Sequence, residues 1–434
     1  MFRSLILIFS FSLCNALCLA QSRQIPAARQ SAPIAITNAT VHTLVGDPIE
    51  RGHVIIVDGK IVLVGSGSAP IADDFTFIDG TGLHVYPGLF SIGSTLGLIE
   101  TSATDVTHDH DELGTFTPEV RAIVAVNPDS DHIPVAREVG VLSAVIFPTG
   151  DRIPGRASAI RLDGWTNEDL SILDDAGLVI NWPRYVRQPS RGGPFDNAGS
   201  KEDTSIEELD DLMQRARDWA SSFHAGEVDH NLTYAALQPV LEGSKPVYLV
   251  ANTKQQIMTG VAWSNRNGLK AIIVGGSEAP QCAELLIQEE VPVVCNTIMS
   301  LPHRRDLPFD HQYTLPSRLR DAGITFCIAS GEGSSNVRRL PFNAGKAVAY
   351  GLTQEQAIAA ISRDAAAICG LGDSLGTIEP GKAGTVILTD GSPLDIRTRV
   401  HHAWIDGRKI SLQNRHSELN DKYIEKYKQL NQER

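Results

Sequence analysis

The densest group of potential metal donors in this 434-residue chain is Thr107-His108-Asp109-His110-Asp111-Glu112, where two imidazoles alternate with carboxylates. In an extended segment His108 and His110 project to one face, and in a loop both can converge on one ion, as zinc-type coordination requires. A solvated acidic loop is the alternative, since the spacing identifies no distant third donor. His303-Arg304-Arg305 offers a different chemistry, an anion clamp of guanidinium forks, with Asp306 beside it as a competing local partner. Arg152 and Arg156 in TGDRIPGRAS present the same choice. Glu278 and Glu332 are carboxylates that could do acid–base work without a metal if they faced one cavity, and solvated loop carboxylates otherwise. Thr95 and Ser330 supply hydroxyls, but no strand-end histidine is placed to activate a serine, which disfavours a serine hydrolase.

These residues punctuate an alternation of short apolar runs with helical patterns, the mark of strands joined by crossover helices. Eight runs can be read: Gly88–Ser94, Leu142–Phe147, Ala157–Leu162, Leu178–Asn181, Val247–Ala251, Ala271–Val274, Val291–Asn296 and Thr325–Ser330. Together they predict an α/β fold, a (β/α)₈ TIM-like barrel over 87–375, with a doubly wound open sheet as the alternative. Thr95, Asn252, Glu278, Ser330, Glu332, His303 and Arg304 then follow strand ends, on the face where barrel sites form, and are the substrate-binding candidates. A capping-box pattern at Ser205 and Glu208, helical spacing through Phe223 and a closing Gly226 predict one outer helix, preceded by a long loop over 188–204.

The ends of the chain differ from the middle. Strand-like runs joined at Asp58-Gly59, Asp390-Gly391 and Asp406-Gly407 predict a composite β-sandwich domain built from 34–86 and 376–412, followed by a helical tail over 413–434. Residues 1–20 combine Arg3, an apolar run too short to span a bilayer and small residues before Gln21, which predicts an export signal and a periplasmic protein if the host is Gram-negative. A flexible leader over 21–33 follows. Thirty-eight Lys and Arg against 51 Asp and Glu give a net charge of −13, which argues against nucleic acid as a partner, and no later run is apolar enough for a membrane span. The four cysteines beyond the leader, at 282, 295, 327 and 369, lack metal-type spacing and read as buried thiols.

VYPGLFSIGSTLGL at the first barrel strand and GKAVAYGLTQEQAIAAISRDAAAICGLGDSLGTIEPGKAGTVILTDGSPLDI at its close resemble the amidohydrolase superfamily, in its imidazolonepropionase-like branch, over roughly residues 34 to 412. The resemblance implies a metal-assisted hydrolase acting on non-peptide C–N bonds, with bound water activated by an ion at the strand ends. It also implies ligands that this chain lacks. Gly93 and Thr95 occupy the His-x-His positions, and no lysine lies between Lys60 and Lys201 to serve as the bridging ligand. The fifth strand ends in Ala251-Asn252, the sixth in Gly275-Gly276, and the eighth reads Ala329-Ser330-Gly331 where Thr-Asp is expected. No metal cofactor is therefore expected, unless zinc or a similar divalent ion has relocated to His108 and His110. Two readings follow: a hydrolase-like protein with its metal positions lost, or a catalytically inactive barrel that binds a small molecule or assembles as a homo-oligomer or with an intact amidohydrolase.

Overall fold

A computed structural model describes residues 24–67, 69, 72–183, 205–302 and 304–432. The expected signal over 1–20, the loop over 188–204 and the candidate His303 lie outside the described residues. In chain order the strands are β1 (Ile34–Val41), β2 (Ile49–Val57), β3 (Lys60–Ser66), β4 (Thr76–Asp79), β5 (His84–Pro87), β6 (Leu89–Ser94), β7 (Val141–Ile146), β8 (Gly155–Arg161), β9 (Ser171–Asn181), β10 (Val247–Ala251), β11 (Ala271–Gly275), β12 (Val293–Cys295), β13 (Phe326–Ile328), β14 (Val386–Thr389), β15 (Val400–Ile405) and β16 (Arg408–Lys409). The helices used below are α1 (His132–Glu138), α2 (Ser205–His224), α3 (Lys254–Asn267), α4 (Leu340–Ala349) and α5 (Arg415–Gln432).

One eight-stranded sheet, ordered β16-β15-β14-β5-β1-β2-β3 with β4 on β1, draws on both ends of the chain. Its seam is the antiparallel β5–β14 pair, with His84 opposite Thr389 and Pro87 opposite Val386. Asp58-Gly59 and Asp406-Gly407 close two of its hairpins with φ of 47°, 78°, 48° and 70°, the positive values a type I′ turn requires. The two turns touch, since a Cβ on Gly59 would lie 2.9 Å from the Asp406 carbonyl oxygen. Ile36, Val54, Ile56, Val85, Val386 and Trp404 form the core of this sheet.

The described part of the leader makes hydrogen bonds to later segments. Gln30 donates to the Ile56 carbonyl and accepts from the Gly59 N–H, each at 2.8 Å, and the Ala27 N–H donates to Asp163 at 3.0 Å. Polar groups of this segment thus bond to the body of the protein.

The second sheet runs β13-β12-β11-β10-β9-β8-β7-β6 and is a nearly closed, barrel-like ring. Each of the eight predicted runs overlaps one of its strands. Side chains alternate across it with the two-residue strand period. Phe90, Ile92, Val145, Val179, Tyr248 and Ile272 join one apolar cluster inside the ring, while Leu89, Leu142, Leu178, Leu249, Ile273 and Ile328 join a second that includes the helices.

The strand directions correct the expectation of eight parallel units. β8 pairs antiparallel with both β7 and β9, whereas the other neighbours are parallel. The cause is chain length: only residues 147–154 separate β7 from β8, fewer than the dozen or so that a parallel crossover needs. The helix predicted from Ser205 forms as α2 and buries Leu209, Leu212, Met213 and Ala216, and Gly226 follows it at φ 75°. The tail forms α5, with no buried residue. All four described cysteines are free and buried, and no described helix is long and apolar enough to cross a membrane.

Candidate functional site

The strand ends that would carry a barrel site are joined by neutral side chains. Near the end of β6, Gly93 takes φ 75°, and the Phe147 ring lies 3.4 Å from where a Cβ on Gly93 would sit. Two residues on, the Thr95 N–H and hydroxyl both donate to the Glu332 carbonyl oxygen, at 2.8 and 3.1 Å. The Ser334 hydroxyl donates to the Thr95 carbonyl at 2.6 Å, and the buried hydroxyls of Ser91 and Ser330 lie 3.0 Å apart. Asn343 of α4 donates to the Ala329 carbonyl at 3.1 Å. These bonds draw the first and last strands of the ring together where no ladder pairs them.

A second network ties the ends of β10, β11 and β12. The Ser277 hydroxyl donates to Asn252 Oδ1 and accepts from Gln312 Nε2, each at 3.1 Å, while Gln312 Oε1 accepts from the Thr297 hydroxyl at 3.2 Å. Every member of this relay is uncharged. Ser94 Oγ and Asn296 Oδ1 are buried without a hydrogen-bond partner among the described residues.

The ring interior is apolar around Tyr248, which is fully buried with its ring centroid 4.8 Å from that of Phe147. Its hydroxyl contacts Cys369 Sγ at 3.6 Å. Burial pushes the Tyr248 hydroxyl well above its ordinary pKa and the Cys369 thiol up to about 12, so both stay protonated and neither is a nucleophile near neutral pH.

Known proteins share this fold. A solved amidohydrolase from Thermotoga maritima MSB8 matches with a TM-score of 0.78 at 24% identity, over 87% of this chain and 99% of that one. Amidohydrolase tasK of Hapsidospora irregularis is 24% identical over 396 residues. The chain shares its fold with amidohydrolases. Phenylurea hydrolase B shares the fold more distantly, with a TM-score of 0.54 at 15% identity over 88% of this chain and 97% of that one. No family model matches. The tasK alignment takes in 83% of this chain but 39% of the relative, so the chain spans about two fifths of the length of that curated protein.

The charged side chains among the candidates take partners outside the hydroxyl networks. The Glu278 side chain, 6% exposed, accepts from the Lys254 N–H in the first turn of α3 at 2.7 Å and from Arg304 at 3.3 Å. It thereby satisfies a helix N-terminus, a position that favours a carboxylate. Arg304 also binds Asp306 through Nε at 3.0 Å, so the proposed anion clamp is filled by acidic side chains of the protein itself. Glu332 is exposed and contributes its backbone carbonyl to the Thr95 contact. Arg152 donates to the Asn181 carbonyl at 2.6 Å and Arg156 pairs with Asp175 at 2.9 Å, both as ties between strands and loops.

His108 and His110 meet edge to face, with ring centroids 5.4 Å apart, and line a cavity of about 390 Å³ with Asp109, Asp111, Glu112 and Glu119. His108 is 3.2 Å from the Thr101 carbonyl, and His110 is 3.5 Å from Asp111. Among the described residues no group of three or more His, Cys, Asp or Glu side chains could hold a metal ion. Sequence reasoning found Thr95, Asn252 and Ser330 but missed Ser91, Ser277, Gln312 and Ser334. Their serine and glutamine types carry no signal of their own, and their partners are distant in the chain.

Proposed function

We propose that this chain is an exported amidohydrolase-fold protein that has given up the inherited metal-assisted centre, and that it works as a small-molecule binding or assembly module rather than as a hydrolase in its own right. The observation that carries this reading is the chemistry at the strand ends. A zinc-type ion takes imidazole, thiolate or carboxylate donors. Gly93, Thr95, Asn252 and Ser330 offer none, and the hydroxyls and amide among them are engaged with Glu332, Ser334, Ser277 and Ser91. These residues do not fit the ion. The name phenylurea hydrolase B, carried by a protein of the same fold, supports compounds with non-peptide C–N bonds as the ligand class, held here without turnover. The length of tasK supports the assembly half of the reading, because the matched region there belongs to a much longer protein.

The deciding experiment is metal analysis of the purified protein by mass spectrometry, after dialysis against zinc and against a chelator, alongside a turnover screen with cyclic amides and ureas. The expected result is metal far below one ion per chain and no hydrolysis. Near-stoichiometric zinc accompanied by turnover overturns the reading, and its loss in His108→Ala and His110→Ala would place the ion in the acidic loop. N-terminal sequencing of exported protein tests cleavage near Ala20.

A further inference from the structure

A cavity of about 930 Å³ lies away from the strand ends, between α1, the turn into α4, the β14–β15 connection and the start of α5. Its size is within the range of small-molecule sites. None of Thr95, Asn252, Glu278, Ser330 or Glu332 lines it. In a chain of net charge −13, this cavity gathers Arg338, Arg339, Arg397, Arg399 and His416 against two carboxylates, Glu138 and Asp395.

Both carboxylates are engaged. Asp395 is gripped by Arg397 through Nε at 3.1 Å and Nη2 at 2.7 Å, and Glu138 accepts from Asn414 Nδ2 at 2.8 Å. Arg338 contacts the His416 ring at 3.5 Å, and no ion pair holds Arg338, Arg339 or Arg399 among the described residues. Three guanidiniums thus have no acidic partner, and they come from two separate segments of the lining: Arg338 and Arg339 from the turn into α4, Arg399 from the β14–β15 connection. Val139, Phe342 and Leu412 provide apolar lining in the same cavity. A guanidinium fork matches one carboxylate or phosphate bidentately, so several such forks lining one cavity match more than one such group on a single ligand.

We propose that this cavity binds an organic polyanion, a small molecule carrying at least two carboxylate or phosphate groups on a partly apolar body. The site is independent of the fate of the barrel centre, because no residue is shared between them.

Titration calorimetry on the full chain at fixed ionic strength tests this with three probes: tricarballylate, pyrophosphate and acetate. The expected result is saturable binding of tricarballylate or pyrophosphate, at least about tenfold tighter than acetate, with Arg338→Gln and Arg399→Gln each weakening it by about tenfold or more. Binding of tricarballylate alone identifies carboxylates as the recognised groups, binding of pyrophosphate alone identifies phosphates, and binding of both supports the shared chemistry. Arg215→Gln, which removes an exposed arginine paired with Asp211 on α2, should leave affinity unchanged. Absence of saturable binding by either polyanion overturns the proposal. So does parental affinity in both cavity variants, confirmed as folded by their melting curves, or an equal loss in Arg215→Gln.

Discussion

Arg137 donates to Asp163 at 2.6 Å in a setting where the two side chains are 5% and 1% exposed, which makes this ion pair a buried tie between α1 and the segment after β8. Asp163 also accepts from the Ala27 N–H, and Arg137 also donates to the Leu162 carbonyl. Asp163→Ala should therefore strand a buried guanidinium and lower stability by about 3–5 kcal/mol in urea unfolding. The paired change Arg137→Met with Asp163→Leu should recover much of that loss. A cost below about 1 kcal/mol for the single variant would show that water replaces the carboxylate.

The His42 and His84 rings approach to 3.1 Å between Nε2 and Nδ1, and His42 stacks on Tyr86 at 4.1 Å. Burial, then the neighbouring His84, hold His42 down to about 4 from 6.5, with Glu50 opposing. The folded chain thus refuses a proton that the unfolded chain accepts between those values. Stability should fall as pH drops from 6.5 to 4, and then level off with respect to this group. Allowing for partial solvent contact, the expected loss is about 1–2 kcal/mol. His42→Phe keeps a ring on Tyr86 and should flatten that part of the profile in denaturant melts at stepped pH.

Placing imidazoles at positions 93 and 95 should not create a metal site. Gly93→His places a side chain at φ 75° with the Phe147 ring 3.4 Å from its Cβ, and Thr95→His breaks the hydroxyl contact to Glu332. The double variant should lose about 2–4 kcal/mol, from left-handed strain and the lost hydrogen bond, without retaining zinc after dialysis. Stable zinc retention would show that the strand ends readily reshape.

Glu278 and Glu332 look alike in the sequence and should behave differently. Glu278→Ala removes a buried acceptor from the first turn of α3 and a partner from Arg304, and should cost about 1–2 kcal/mol. Glu332→Ala keeps the backbone carbonyl that Thr95 uses and should stay within about 0.5 kcal/mol of the parent in the same urea melts. Equal losses would contradict the placement of Glu278 at the helix end.

Periodicity was enough to locate the eight ring strands, because each needs a local apolar run, and Asp58-Gly59 marked its hairpin because few residue pairs tolerate two positive φ values. The reversed direction of β8 could have been read from the eight residues between β7 and β8. The strand-end networks could not. Ser91 meets Ser330 and Thr95 meets Ser334 across 239 residues, and nothing local to a serine announces a partner so far away. The arginine cavity was illegible for the same reason, since its walls come from separate segments of the chain.

The β5–β14 seam also has a consequence during synthesis. β5 ends at Pro87 and its partner begins at Val386, so the ribosome must deliver nearly the whole protein before that edge is covered. Until then β5 presents unsatisfied amides and carbonyls, a template for joining nascent copies edge to edge. A premature stop anywhere before residue 386 would therefore do more than shorten the protein. It would leave the earliest strands without their last neighbour, and the truncated product should be recovered in inclusion bodies rather than as a smaller folded domain.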